Sequence, residues 1–195
     1  MELLPPPGAL AWFSPDVLLA TWFGAGLVEP LRAGLAVASV LTVILVARPG
    51  RTASASWAML LSIAAALAIA SLEVRSGIGD DRRIVVDEVL GVLVLVALIA
   101  TWRRIAITAV AALFLFVDRW KPWPLNVIET IPSPFGVLAD DMAAGAIVGS
   151  AALLIWLAWP KATLAYRGAT CGRTMKNGSA LMADTSRSTK NGPKP

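Results

Sequence analysis

Histidine is absent from the 195 residues, and cysteine occurs once, as Cys171. Without histidine there is no imidazole nucleophile, general base or metal ligand, so carboxylates, lysine, arginine and water are left for any chemistry. A lone cysteine supports neither a disulfide framework nor a cysteine metal site. Charge is scarce as well: 15% of residues are charged against 57% hydrophobic, with a mean hydropathy of +0.70, a balance too apolar for a soluble domain of this size. Residues 1–7, MELLPPP, have neither the basic n-region nor the small-residue cleavage site of a signal peptide, and are expected to be mature sequence.

What the chain does have is long apolar runs, at residues 31–47, 57–72, 84–102, 105–117 and 135–159. They approach the ~17 to 25 residues that span hydrocarbon and lack the alternation of barrel strands. The expected fold is therefore all-α, a polytopic transmembrane bundle of about five membrane helices, with residues 17–27 as an interfacial or re-entrant segment. Arg48-Pro-Gly-Arg51, Gly77-Ile-Gly-Asp80 and Lys121-Pro-Trp-Pro124 punctuate the runs. The fourth run is short and is expected to extend as one helix from about Arg104 to Trp120. The eight tryptophans lie near run ends, as in an interfacial aromatic belt. Residues 1–168 read as one membrane-embedded domain, and residues 169–195, rich in Ser, Thr, Asn, Gly and Lys, as a disordered basic tail. A net charge of +4, concentrated in loops and tail, suits anionic membrane lipids better than nucleic acid. No internal repeat is evident, which disfavours a transporter built from two similar halves.

Eight of the thirteen carboxylates fall between Asp80 and Asp141. Helices that alternate through a bilayer put the start of the third run, the end of the fourth and the start of the fifth on one side. Those are the positions of Asp87/Glu88, Asp118 and Asp140/Asp141. A charge inside an apolar helix costs roughly 2.5 to 3.5 kcal/mol on insertion scales, so such acids face a cavity or a partner. Gly91 and Gly145 each follow a carboxylate by four residues and would let a second helix approach closely. Capping accounts equally well for Asp80 and Asp81, interfacial anchoring for Asp118 and Lys121, and a loop position for Glu129. Oxygen-only ligation suits Mg²⁺ first and Mn²⁺ or Ca²⁺ next. Arg82, Arg83, Arg119 and Lys121 are placed either to bind phosphate oxygens or to pair with the acids.

Three ordered blocks carry a family resemblance: Asp80-Asp-Arg-Arg-Ile-Val-Val-Asp-Glu-Val-Leu-Gly91, Phe116-Val-Asp-Arg-Trp-Lys-Pro-Trp-Pro124 and Gly136-Val-Leu-Ala-Asp-Asp-Met-Ala-Ala-Gly145. Together they resemble the phosphatidylglycerophosphatase A family of bacterial membrane phosphatases. Gly24-Ala-Gly26-Leu27 is a weaker fourth match, and the chain departs from the family pattern at Arg32-Ala-Gly34, Asp81 and Leu115. The resemblance implies Mg²⁺-dependent hydrolysis of the terminal phosphate of phosphatidylglycerophosphate in glycerophospholipid biosynthesis. On that reading Asp87, Glu88, Asp118, Asp140 and Asp141 are catalytic and, with Asp80, metal-binding, while Lys121 and Arg83 bind substrate. It also implies a multi-pass protein of the bacterial inner membrane with its active site on the cytoplasmic side. The count of arginine and lysine leans the other way. Two alternatives use the same acids: a cation- or proton-coupled membrane carrier, and a catalytically impaired family member acting as a membrane subunit.

Overall fold

The computed structural model describes residues 2–3, 13–78, 81–99 and 104–158. Seven α-helices lie among them: α1 (Pro15–Ala20), α2 (Arg32–Ala47), α3 (Arg51–Ser76), α4 (Val86–Leu98), α5 (Arg104–Trp120), α6 (Leu125–Ile128) and α7 (Phe135–Ala158). A two-residue antiparallel ladder joins β1 (Glu2–Leu3) to β2 (Val28–Glu29). The chain divides into two compact units, Met1–Leu153 and Leu154–Pro195. Of the second, residues 154–158 are described and continue α7. The expected tail, residues 169–195, lies outside the described residues, as does Asp80.

α4 is the central element. It is apolar on nearly every side, from Val86 and Val89 to Leu95 and Val96, and a helix apolar all round must be enclosed by others. Val37, Val40 and Ile44 of α2, Ile107, Ala111 and Phe114 of α5, and Ala144 and Val148 of α7 share one core with it. A second core joins Val17 and Ala20 of α1 and Ala65, Ile69 and Leu72 of α3 to Val86 and Leu90, with Leu138 of α7. α3 buries a stripe of small residues (Ser54, Ala58, Ala65, Ala68) and turns Trp57, Met59, Leu60, Ile63 and Leu67 outward. A helix that turns this many large apolar side chains outward, while burying mostly small ones beside Ile69 and Leu72, matches packing in lipid.

The five runs expected to be membrane helices correspond to α2, α3, α4, α5 and α7. α3 and α7 alone among the described residues are long and apolar enough to cross a membrane. At 1.5 Å per residue, the 13 residues of α4 reach only about 20 Å. Residues 84–85 stay outside it, with Val85 donating its N–H to the carbonyl of Ala20 (3.0 Å) at φ −145°, and Ile99 is extended at its other end. α5 has the bounds expected of it, Arg104 to Trp120.

The 17–27 segment is a short helix followed by a reversal. Trp22, Phe23 and Gly24 all have positive φ, and a single 3-10 turn (Ala25–Leu27) then leads to β2. Asp16 at the start of α1 accepts from Arg75 and from Ser71 (3.0 Å) of α3. Burial works against its charge, but these bonds outweigh it and hold the pKa at about 2.

Candidate metal centre

Three helix ends build the centre. α4 contributes Asp87 and Glu88 from its first turn, α5 contributes Asp118 from its last, and α7 contributes Asp140 and Asp141 near its start. Carboxylate oxygens of Asp87, Glu88 and Asp141 lie within 4.8 Å of one another, and so do those of Asp118, Asp140 and Asp141. Asp141 belongs to both triads and is 4% exposed. The five acids singled out from the sequence thus converge at one place.

Glycine makes the approach possible. A Cβ on Gly145 would collide with the backbone carbonyl of Gly91, and one on Gly91 would strike the Phe114 ring and come within 2.8 Å of the Asp141 carbonyl. The two glycines therefore face each other across α4 and α7, one turn beyond their carboxylates. Backbone contact at this level brings Asp141 onto Asp87 and Glu88. Gly26 serves a different contact, packing on the Arg83 carbonyl, where a Cβ has no room.

The charges around the acids are partitioned. Lys121 follows α5 with φ +44°, a left-handed conformation that costs a lysine about 1 kcal/mol, and its N–H closes the helix on the Val117 carbonyl. That bend turns Nζ back to Asp140 Oδ2 (2.7 Å) and Glu129 Oε1 (2.8 Å). Burial works against the ammonium charge, but the two carboxylates outweigh it, so the Lys121 pKa lies above the usual lysine range. Asp81, which is buried, holds the Arg83 guanidinium through Nε (2.8 Å) and Nη2 (2.6 Å) and also caps the Arg83 N–H (3.0 Å).

The acids open onto a cavity of about 920 Å³. Arg32, Arg82, Arg119 and Lys121 line it together with the five acids and Glu129; Arg82, rather than Arg83, is the cation of its loop that does so. Arg32 was not singled out from the sequence as a ligand. Its Nη1 donates to Glu29 Oε1 (2.8 Å) and to the carbonyl of Arg82 (2.7 Å). No spacing rule signals it, because its partners are 3 and 50 residues away.

Five carboxylates converge, and among the described residues only Asp140 of them has a lysine or arginine in ion-pair contact. Glu88 is 9% exposed, and its Oε2 finds no hydrogen-bond partner among the described residues. A buried orphan carboxylate oxygen is costly unless a cation answers it. The donor set is all oxygen, which fits a hard divalent ion. A helical, apolar scaffold with a buried carboxylate centre and four cations around its cavity defines the class of site.

Comparison with known proteins is consistent with that class. A profile of the phosphatidylglycerophosphatase A family matches residues 18–156. The chain is 29% identical over 157 residues to the phosphatidylglycerophosphatase A of Haemophilus influenzae, covering 78% of this chain and 96% of that protein. It is 31% identical over 87 residues to the phosphatidylglycerophosphatase A of Escherichia coli, covering 43% of this chain and 49% of that one. No solved structure matches. The chain belongs to the phosphatidylglycerophosphatase A family and is a phosphatase.

Proposed function

We propose that the protein removes the terminal phosphate of phosphatidylglycerophosphate in a Mg²⁺-dependent reaction of glycerophospholipid biosynthesis, as a multi-pass protein of the bacterial inner membrane whose site faces the cytoplasm. The observation that carries this reading is the pair of carboxylate triads sharing Asp141 in a cavity that Arg32, Arg82, Arg119 and Lys121 also line.

Asp87, Glu88, Asp118, Asp140 and Asp141 would hold the metal, with Mn²⁺ as a substitute, and Asp80 is proposed as a further ligand from its motif. When bound, the ion supplies Lewis-acid polarisation of the phosphoryl oxygens and a water of lowered pKa. The chain's own part is electrostatic and positional. Lys121, held on Asp140 and Glu129, stays protonated and offers its charge to the phosphoryl group. Arg83, expected from the motif to bind substrate, is instead locked on Asp81 and braces the loop that delivers Asp87 and Glu88. In the balanced reaction water adds to phosphorus and the bond to the glycerol oxygen breaks. That oxygen leaves with a proton, giving phosphatidylglycerol and inorganic phosphate.

Purified protein in detergent is expected to release phosphate from phosphatidylglycerophosphate with Mg²⁺ and to stop in EDTA. Asp141→Asn, which weakens both triads at once, is expected to reduce the rate by about a hundredfold or more. Undiminished turnover in EDTA, or in Asp141→Asn, would overturn the assignment.

A further inference from the structure

The substrate proposed above carries two phosphates, a terminal monoester and an internal diester, separated by one glycerol. The carboxylate cluster accounts for the first through a metal. We propose that Arg32 binds the second, the phosphodiester, and so sets affinity for the headgroup; this rests on the functional reading just given.

Arg32 is the first residue of α2, where the helix dipole is positive and an arginine is electrostatically misplaced. Helix formation therefore does not explain it. Nor does the ion pair with Glu29, whose partners are 25% and 30% exposed and which contributes little in water. Those contacts do orient the group. Two acceptors on Nη1, from Glu29 and the Arg82 carbonyl, fix the guanidinium plane while using one of its three nitrogens. The rest of the fork retains donors suited to a bidentate phosphate contact.

The surroundings favour this over the other lining cations. Arg82 and Arg119 are exposed, and Lys121 is engaged by two carboxylates. Arg32 is partly buried, pre-oriented and bound to neither triad. Ala33 and Gly34 line the same cavity, so the positions that follow Arg32 there carry little side-chain bulk. Electrostatics orders the ligand as well. Carboxylates left at the cluster repel a diester, which carries one negative charge and has no metal of its own, so it settles at the lining cation outside both triads.

The test uses the full chain in detergent micelles with Mg²⁺, comparing wild type with Arg32→Ala and Arg32→Lys. Two quantities are read: KM for phosphatidylglycerophosphate, and the inhibition constant of inorganic phosphate, which occupies the monoester site alone. Arg32→Ala is expected to raise KM by about tenfold or more, the worth of a charge-assisted contact. Its kcat should stay within about twofold, and the inhibition constant should not move. Arg32→Lys, which keeps the charge and loses the fork, is expected in between and carries the test if the alanine variant does not fold. An unchanged KM, or equal shifts in KM and the inhibition constant, would overturn the role of Arg32. Wild-type protein that releases no phosphate would instead overturn the functional reading beneath it.

Discussion

Lys121 shows how one residue serves backbone and site together. Its left-handed φ of +44° ends α5 and aims Nζ at Asp140 and Glu129. The two contributions separate by substitution. Lys121→Ala and Lys121→Gly both remove the ammonium and leave Asp140 without its cation, so both are expected to lose about a hundredfold in phosphate release. Only alanine keeps the backbone strain, and Lys121→Gly is expected to be more stable than Lys121→Ala by about 1 kcal/mol in detergent unfolding. Equal stabilities would remove the strain argument, and full activity would remove the lysine from the site. At this scale the sequence was largely legible. Asp87, Glu88, Asp140 and Asp141 stand in apolar surroundings where a charge is expensive, and expense marks function. Arg32 was illegible because it lies among ordinary helix-start residues and acquires meaning only from the Arg82 carbonyl, 50 residues away.

Between elements, the decisive contact is glycine on glycine. Gly145 rests on the Gly91 carbonyl, and this closeness of α7 to α4 holds the two triads together. Gly145→Ala forces the backbones apart, so it is expected to cost about 1 to 3 kcal/mol of stability. It also moves Asp141 away from Asp87 and Glu88, and misplacement near 1 Å lowers turnover by about a hundredfold. Gly34→Ala is the control: nothing lies within 4 Å of its Cβ, and alanine in a helix gains about 0.5 to 1 kcal/mol over glycine. Equal melting temperatures for the two variants would show that the glycine contact does not set the helix spacing. The spacing of four residues from each carboxylate made this pairing readable beforehand. The start of α4 was not readable, since hydropathy is blind to the hydrogen bond from Val85 to Ala20 that keeps residues 84–85 out of the helix, nor was its end at the extended Ile99.

For the whole molecule the question is which way the cavity faces. α3 and α7, at 26 and 24 residues, reach about 39 and 36 Å, beyond the ~30 Å of hydrocarbon, and α3 presents large apolar side chains outward. Counting arginine and lysine along the sequence assigns Arg48, Arg51, Arg103, Arg104, Lys161, Arg167 and the tail to the side opposite the acids and favours that side as cytoplasmic. Pairing alters the count on both sides: on the acidic side Arg32, Arg75, Arg83 and Lys121 are each bound to a carboxylate, which lowers that side's free positive charge further. Arg51 is likewise occupied, donating to the carbonyls of Ala97 and Leu98 at the end of α4. Neither set is a simple topogenic signal. The proposed substrate argues for the other side: a headgroup with two phosphates does not cross hydrocarbon unaided, so on the proposed function the cavity is expected to open to the leaflet where the lipid is made. Arg82 lines the cavity and is exposed, which makes it the reporter position. In a Cys171→Ser background, Arg82→Cys is expected to resist an impermeant maleimide in intact cells and to react once the membrane is permeabilised. Labelling in intact cells would place the cavity on the outer face, and the substrate would then have to reach it by a separate flipping step.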